Sequence, residues 1–275
     1  MEPISLGNFG LLDRLLGIIN RPQADVDYAI AVYLATHLRD IQQITVYDLM
    51  DSSFASRSSI RRFCQRLGYS SFSALKRDFA LVAFPSDLRH RDTASLSLER
   101  YRTELMQGMQ AAIEEVEYLV SDEDIANLAD DIHWSNNVLL FAANDVSSNL
   151  SRFQQELLYT GKVVRFAVNA TDSDIFGATP EEAKNALLVC VSASGRFAHE
   201  SLDVVDGLTC RKVLVTATVR GVFEGHYDQI VYLSERGMAL DRLGIFAKYV
   251  TTYFFDLLSE DYLNRYSTPH RPEVD

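Results

Sequence analysis

Residues Thr45–Leu67 read TVYDLMDSSFASRSSIRRFCQRL, two helical patterns joined by a tight turn. Thr45 with Asp48 three residues on is a capping-box start, and Val46, Leu49 and Met50 then supply an apolar stripe. Asp51 to Ala55 carries turn formers around one aromatic, Phe54, whose apolar ring marks it as buried. Ser56 is placed to cap the second helix. There Ile60, Phe63, Cys64 and Leu67 fall at i, i+3, i+4, i+7, the spacing of one helix face. Gly68 supplies the stop just beyond.

The other face of that second helix carries Arg57, Ser58, Ser59, Arg61, Arg62, Gln65 and Arg66, with no acid among them. Its chemistry suits a major groove: Arg bonds guanine edges bidentately, Gln reads adenine, and Ser reaches bases or phosphates. Helix-turn-helix proteins set the first turns of the second helix against base edges. The candidate DNA-binding residues are therefore Ser56, Arg57, Ser58, Ser59, Arg61, Arg62 and Gln65. The plainer alternative is a solvated helix with its arginines outside.

Around this core the helical head extends in both directions. Residues 9–20 have the pattern of a short apolar helix. Pro22–Ile41 carries Val26, Ile30, Tyr33, Leu34, Leu38 and Ile41 at helical spacing and is expected to pack behind the helix-turn-helix. After Gly68, Ser71 caps a further helix with Phe72, Leu75 and Phe79 inward. Lys76 and Arg77 face outward there, as candidate phosphate clamps that position without reading sequence. Pro85 ends the head, and the polar segment 86–97 reads as a linker to a second domain over 98–275.

Net charge is −12 over 275 residues, which at first argues against nucleic acid, but the charge is unevenly placed. Ala55–Arg91 holds eight basic residues and two acidic ones, whereas residues 92–275 hold 15 basic and 29 acidic. A basic head on an acidic body is the expected pattern. No run of about 18 apolar residues occurs, so no membrane-spanning helix and no membrane partner are expected. The N-terminus lacks a basic region ahead of its apolar part and does not read as a signal peptide. Cys64, Cys190 and Cys210 are widely spaced in apolar contexts, which fits a reduced, cytoplasmic chain without a zinc site.

Past the linker, Leu98–Val120 reads as a long helix, and Ser121 caps another through Ile132. Then the period changes. Continuous apolar runs at 137–142, 163–168, 186–191, 212–216 and 229–233 read as strands buried on both faces. Helix-like stretches at 148–159, near 180–184 and at 199–208 separate the first four. That alternation implies an α/β domain of three layers around a mostly parallel sheet. Met238–Tyr262 reads as a final long helix.

Ligands of such sheets bind outside the carboxyl ends of strands. Two loops stand there: Ala143-Asn144-Asp145-Val146-Ser147-Ser148 and Ser192-Ala193-Ser194-Gly195. The second offers hydroxyls, backbone amides and a helix start to an anion such as phosphate. A plain βα turn rich in capping residues has the same composition.

The segment YDLMDSSFASRSSIRRFCQRLGYSSFSALKRDF resembles the helix-turn-helix domain of RpiR-type bacterial transcription regulators, over roughly residues 5–82. Arg62-Phe63, Leu67-Gly68-Tyr69, Phe72 and Lys76 occupy family positions. Residues 105–255 resemble the SIS (sugar isomerase) domain of the same regulators, with S-A-S-G at 192–195 in place of the family's S-x-S-G. The resemblance implies a dimeric or tetrameric regulator of carbohydrate metabolism, not an enzyme and without a cofactor. Its partners would be double-stranded operator DNA and a phosphorylated sugar or related metabolite.

The effector candidates are Ser147, Ser148, Ser192, Ser194, Gly195 and Arg196. Ala142-Ala143-Asn144-Asp145 departs from the family's glycine-rich first loop. Arg196-Phe197-Ala198-His199-Glu200 departs from its usual Thr and Glu after the glycine, and Ala217-Thr218-Val219-Arg220 lacks its serine-bearing segment. The rival class is a sugar-phosphate isomerase, for which His199 and Glu200 are the adjacent acid/base candidates. The alternative for that pair is a polar first turn of helix. A third class is a regulator whose SIS domain only oligomerises.

Overall fold

A computed structural model describes residues 11–20, 25–80, 97–142, 144–167, 185–237, 241 and 243–267. The chain divides into two units, 1–83 and 84–275.

Among the described residues the first unit is built from helices: α1 (Leu11–Ile19), α2 (Val26–Thr36), α3 (Val46–Ser53), α4 (Arg57–Arg66) and α5 (Phe72–Ala80). Local chemistry sets the ends of α3 and α4. Thr45 and Asp48 close a reciprocal capping box at α3, with the Thr45 amide on Asp48 Oδ2 at 2.7 Å. The Thr45 amide and then its hydroxyl hold the Asp48 carboxyl below the usual range. Ser56 Oγ accepts the Ser59 amide at α4. Beyond α4, Gly68 takes φ +85° while the Tyr69 amide reaches back to the Cys64 carbonyl at 2.8 Å, closing the helix as glycine C-caps do. Ile60, Phe63, Cys64 and Leu67 are all buried, against a core that includes Ile30, Leu34, Leu49 and Leu75. Val26, expected inside, is exposed at the first turn of α2.

Phe54 corrects the sequence expectation. It is 93% exposed and adopts φ 52°, ψ 28°, the left-handed residue that ends α3. The turn between α3 and α4 needs a positive φ there, and that requirement overrides the ring's hydrophobicity. A bulky residue is strained in this region. Phe54→Gly is expected to raise the stability of this unit. Relief of roughly 1–2 kcal/mol of left-handed strain exceeds the roughly 0.5–1 kcal/mol entropy cost of glycine. Urea unfolding of the variant measures the gain, and a lower midpoint would contradict it.

The second unit carries α6 (Leu98–Leu119), α7 (Asp122–Trp134), β1 (Asn137–Ala142), α8 (Asn144–Tyr159), β2 (Val164–Ala167), β3 (Ala186–Val191), α9 (Arg196–Glu200), α10 (Leu202–Asp206), β4 (Arg211–Thr216), β5 (Gln229–Tyr232) and α11 (Thr251–Tyr266). All five strands are parallel, in the order β2-β1-β3-β4-β5. Every residue of β3 is buried, which is why its sequence is an unbroken apolar run. Strand order reverses between β1 and β3. Right-handed crossovers therefore place α8 and the α9–α10 segment on opposite faces. On the α8 side, α11 packs along α7 and α8, with Phe153 and Phe255 5.0 Å apart.

Two expected helices are reshaped. The stretch 199–208 instead begins at Arg196 and breaks at Ser201, whose buried hydroxyl donates to the Phe197 carbonyl at 2.6 Å. The final helix enters through a π-turn at Phe246–Val250. Asn149 satisfies two carbonyls loosened by that turn, those of Ala247 and Lys248. The expected short helix near 180–184 and most of the linker 86–97 lie outside the described residues, as does the Phe79 side chain. Among the described residues no helix is long and apolar enough to cross a membrane.

Candidate functional site

The outer face of α4 is the first candidate. Ser56 Oγ lies 2.8 Å from Ser58 Oγ and 3.0 Å from Ser59 Oγ, so three hydroxyls cluster at the helix start. Arg57, Arg61, Arg62 and Gln65 are exposed. Among the described residues, none of these three arginines has an ion-pair partner. Arg62 makes one long bond to Ser59 Oγ at 3.5 Å. Arg57 rests its guanidinium 5.2 Å from the centroid of Tyr47, itself 64% exposed on α3. That stack limits the rotamers of Arg57 at little cost. Tyr47 was not singled out from sequence. Its signal is an exposed aromatic on the polar side of α3, ten residues before Arg57.

Arg66 differs from its neighbours: it pairs with Asp27 of α2, whose carboxylate is mostly shielded. It joins α4 to α2. Lys76 departs from the expectation. Its ammonium donates to the Gln42 and Ile44 carbonyls, at 3.1 and 2.8 Å, and lies 5.5 Å from the Phe72 ring. It ties α5 to the turn before α3 and does not point outward to a phosphate. Arg77 is exposed.

The second candidate lies at the carboxyl edge of the sheet, where the strand order reverses. Ala142 and Val191 are register partners, so the loops after β1 and β3 leave the sheet side by side. Ser147 and Ser148 lie on α8; their side chains fall outside the described residues. In the second loop the two serines have different positions. Ser192 is buried: its Oγ accepts the Ala198 amide at 3.2 Å, and its carbonyl accepts Thr216 Oγ1 at 2.7 Å. It shapes the loop, contrary to the expectation that it faces a ligand. Ser194 is exposed.

Gly195 at φ +70° caps α9. A Cβ at Gly195 would meet Thr218 Cγ2 at 2.2 Å and Phe223 Cε2 at 3.1 Å. Arg196 pairs with Glu200 at 2.8 Å across one turn, so an anion would compete with that carboxylate. Of the isomerase candidates, Glu200 is thus engaged, and His199 is exposed.

Next to this loop, the segment after β4 is held by Glu224. Its carboxylate accepts Tyr232 Oη at 2.6 Å, the Gly221 amide at 2.8 Å and the Phe223 amide at 3.1 Å. The tyrosine hydroxyl first, then the Gly221 amide, hold its carboxyl down to about 2, from an ordinary value of 4.5. A depressed carboxylate contributes stability that is full above its unfolded value and is lost as pH falls through the folded one. The stability gap between wild type and Glu224→Gln is therefore expected to stay constant above about pH 4.5 and close as pH falls towards about 2. Urea unfolding at stepped pH measures it. A gap that opens on acidification would contradict the clasp.

No protein-family model and no curated protein matches the sequence. Solved structures do match. The sugar isomerase domain of an RpiR transcription factor from Sphaerobacter thermophilus aligns at TM-score 0.50 and 10% identity, over 60% of this chain and 90% of that one. The α/β unit is SIS-like in fold. The Vibrio vulnificus NanR protein complexed with ManNAc-6P aligns at TM-score 0.48 and 17% identity, over 93% of this chain and 92% of its own. A Methanococcus jannaschii protein inferred to be a 3-hexulose-6-phosphate isomerase aligns at TM-score 0.43 and 17% identity, over 59% and 90%. A shared fold does not by itself assign an activity.

Proposed function

We propose that this chain is a DNA-binding transcriptional regulator of carbohydrate metabolism whose SIS-like unit senses a phosphorylated sugar or related metabolite. The observation that carries the reading is the asymmetry among four arginines on one helix. Arg66 is paired inside its unit, while Arg57, Arg61 and Arg62 stand exposed on the outer face of α4 and have no carboxylate among the described residues. Exposed guanidinium groups on the first turns of such a helix suit base edges and phosphates. Ser56, Ser58, Ser59 and Gln65 complete that face, and Arg77 extends it. In this reading residues 1–85 bind DNA, 86–97 form the linker, and 98–275 sense the metabolite and oligomerise. A homodimer or homotetramer would bind an operator with matching two-fold symmetry.

Ser194 is the exposed hydroxyl of the loop at the strand-order reversal, beside Gly195 and Arg196. A sugar phosphate there is expected to raise Tm. At about 100 times Kd, ligand binding stabilises by about 2.7 kcal/mol, several degrees for a unit of this size. Ser194→Ala is expected to remove most of that rise while unfolding at the same Tm without ligand. A thermal-shift titration with hexose, pentose and aminosugar phosphates tests both. No response to any of them would end the sensing proposal and leave DNA binding standing. Interconversion of phosphosugars by purified protein without DNA would favour the isomerase reading instead.

A further inference from the structure

We propose that Glu115 links the Ser192–Gly195 loop to α6, the helix through which the chain passes from the linker into the SIS-like unit. The inference rests on the sensing role proposed for that loop and adds the route by which occupancy leaves it.

Three loops meet at the carboxyl edge of the sheet. The first junction joins the loops after β3 and β4. Thr216 Oγ1 donates to the Ser192 carbonyl, the Ala217 amide donates to the Ala193 carbonyl at 3.0 Å, and Thr218 sits where a Cβ on Gly195 would be. The second junction joins the loops after β4 and β5. Gly237 is buried at φ +67°, and a Cβ there would meet Val219 Cγ1 at 3.1 Å. The segment from Thr216 to Val219 is therefore gripped on both sides by positive-φ glycines. Close-packed contacts of this kind pass on a displacement because they cannot absorb it.

The third junction reaches α6. One oxygen, Glu115 Oε1, accepts Ser234 Oγ at 3.0 Å, the Glu235 amide at 2.7 Å and the Arg236 amide at 3.4 Å. The segment they belong to runs directly into Gly237. A carboxylate on successive backbone amides makes a strong, directional contact. Further along the same helix Gly108 lies close against Ile245, where a Cβ would meet Cδ1 at 2.4 Å. Glu115 is thus a positioning residue: it holds the segment 234–236 and so sets where α6 lies relative to the loop that would bind a ligand.

Hydrogen exchange on the full-length chain tests this without a known effector. Gly195→Ala forces the loop against Thr218. Beyond the common rise that its lower stability gives the amides of the unit, it is expected to change exchange at the Glu235 and Arg236 amides and in the last turns of α6 by about 5- to 150-fold, the span of ordinary site-to-site coupling. With Glu115→Ala added, the α6 change is expected to vanish while the change at residues 218–223 remains. Glu115→Gln keeps an accepting oxygen and is expected to restore the response. Thr218→Ala perturbs the same junction from the other side and serves if Gly195→Ala does not fold. A response confined to residues 192–223, or one that reaches α6 equally without Glu115, would overturn the proposal. The sugar-phosphate panel runs in parallel on wild type. Absence of any Tm rise there defeats the sensing role, while the exchange result still decides the linkage.

Discussion

Alanine at both Arg61 and Arg62 is expected to weaken operator binding by about two orders of magnitude or more, with the melting temperature unchanged. Each bidentate contact to a base is worth about 1–3 kcal/mol, and every 1.4 kcal/mol is about tenfold in Kd. The fold should not notice the change. Both side chains are exposed and unpaired among the described residues, apart from the long Arg62–Ser59 bond. An operator selected from random duplex DNA, followed by gel-shift titration over a range of salt, reads the loss. The salt slope should also fall by about one for each phosphate contact removed. Arg57→Ala should act in the same direction, by less if the Tyr47 stack mainly orients it. Arg66→Ala is the internal contrast. Its half-exposed pair with Asp27 is worth no more than about 1 kcal/mol, so it should lower stability slightly and affinity only through the angle of α4. Unchanged affinity in the Arg61/Arg62 double variant would remove α4 from the DNA interface.

The head was legible because its determinants are local. Thr45 with Asp48, Ser56 with Ser59, and Gly68 each act within three to five residues, and the four buried positions of α4 follow from a single helical period. Phe54 misled because composition speaks of burial while the turn demands a left-handed backbone. Lys76 misled for a different reason: its partners, Gln42 and Ile44, lie more than thirty residues away. The same division holds in the α/β unit. Unbroken apolar runs revealed parallel strands. The order of those strands, and hence which loops neighbour one another, depends on long-range pairing. Ser192 and Ser194 are alike in sequence. Thr216, on the next strand, decides that one is buried in the loop's framework while the other faces out. Glu115 carried no sequence signal at all, being one acid among several on an amphipathic helix.

Gly195→Ala is expected to destabilise the SIS-like unit by about 2–5 kcal/mol and to leave the helical head unchanged. Two costs add at this residue. A left-handed backbone at φ +70° costs a residue with a Cβ roughly 1–2 kcal/mol. The new methyl would also stand 2.2 Å from Thr218 Cγ2 and 3.1 Å from the Phe223 ring, and overpacking of this kind costs about 1–3 kcal/mol. The neighbours have little room to yield: Phe223 is buried and stacks edge-on to Tyr227, and its amide is tied to Glu224. Gly161 provides the control. It has φ +83° with nothing within 4 Å of a Cβ, so Gly161→Ala should show the backbone cost alone. Urea unfolding followed through the single Trp134, which lies in the second unit, distinguishes the two costs, and hydrogen exchange of peptides from residues 25–80 reads the helical head. Equal losses at Gly195 and Gly161 would mean that the loops after β3 and β4 are not packed against each other. The grip on Thr216–Val219 would then be absent, and ligand binding at Ser194 would have no rigid neighbour through which to act.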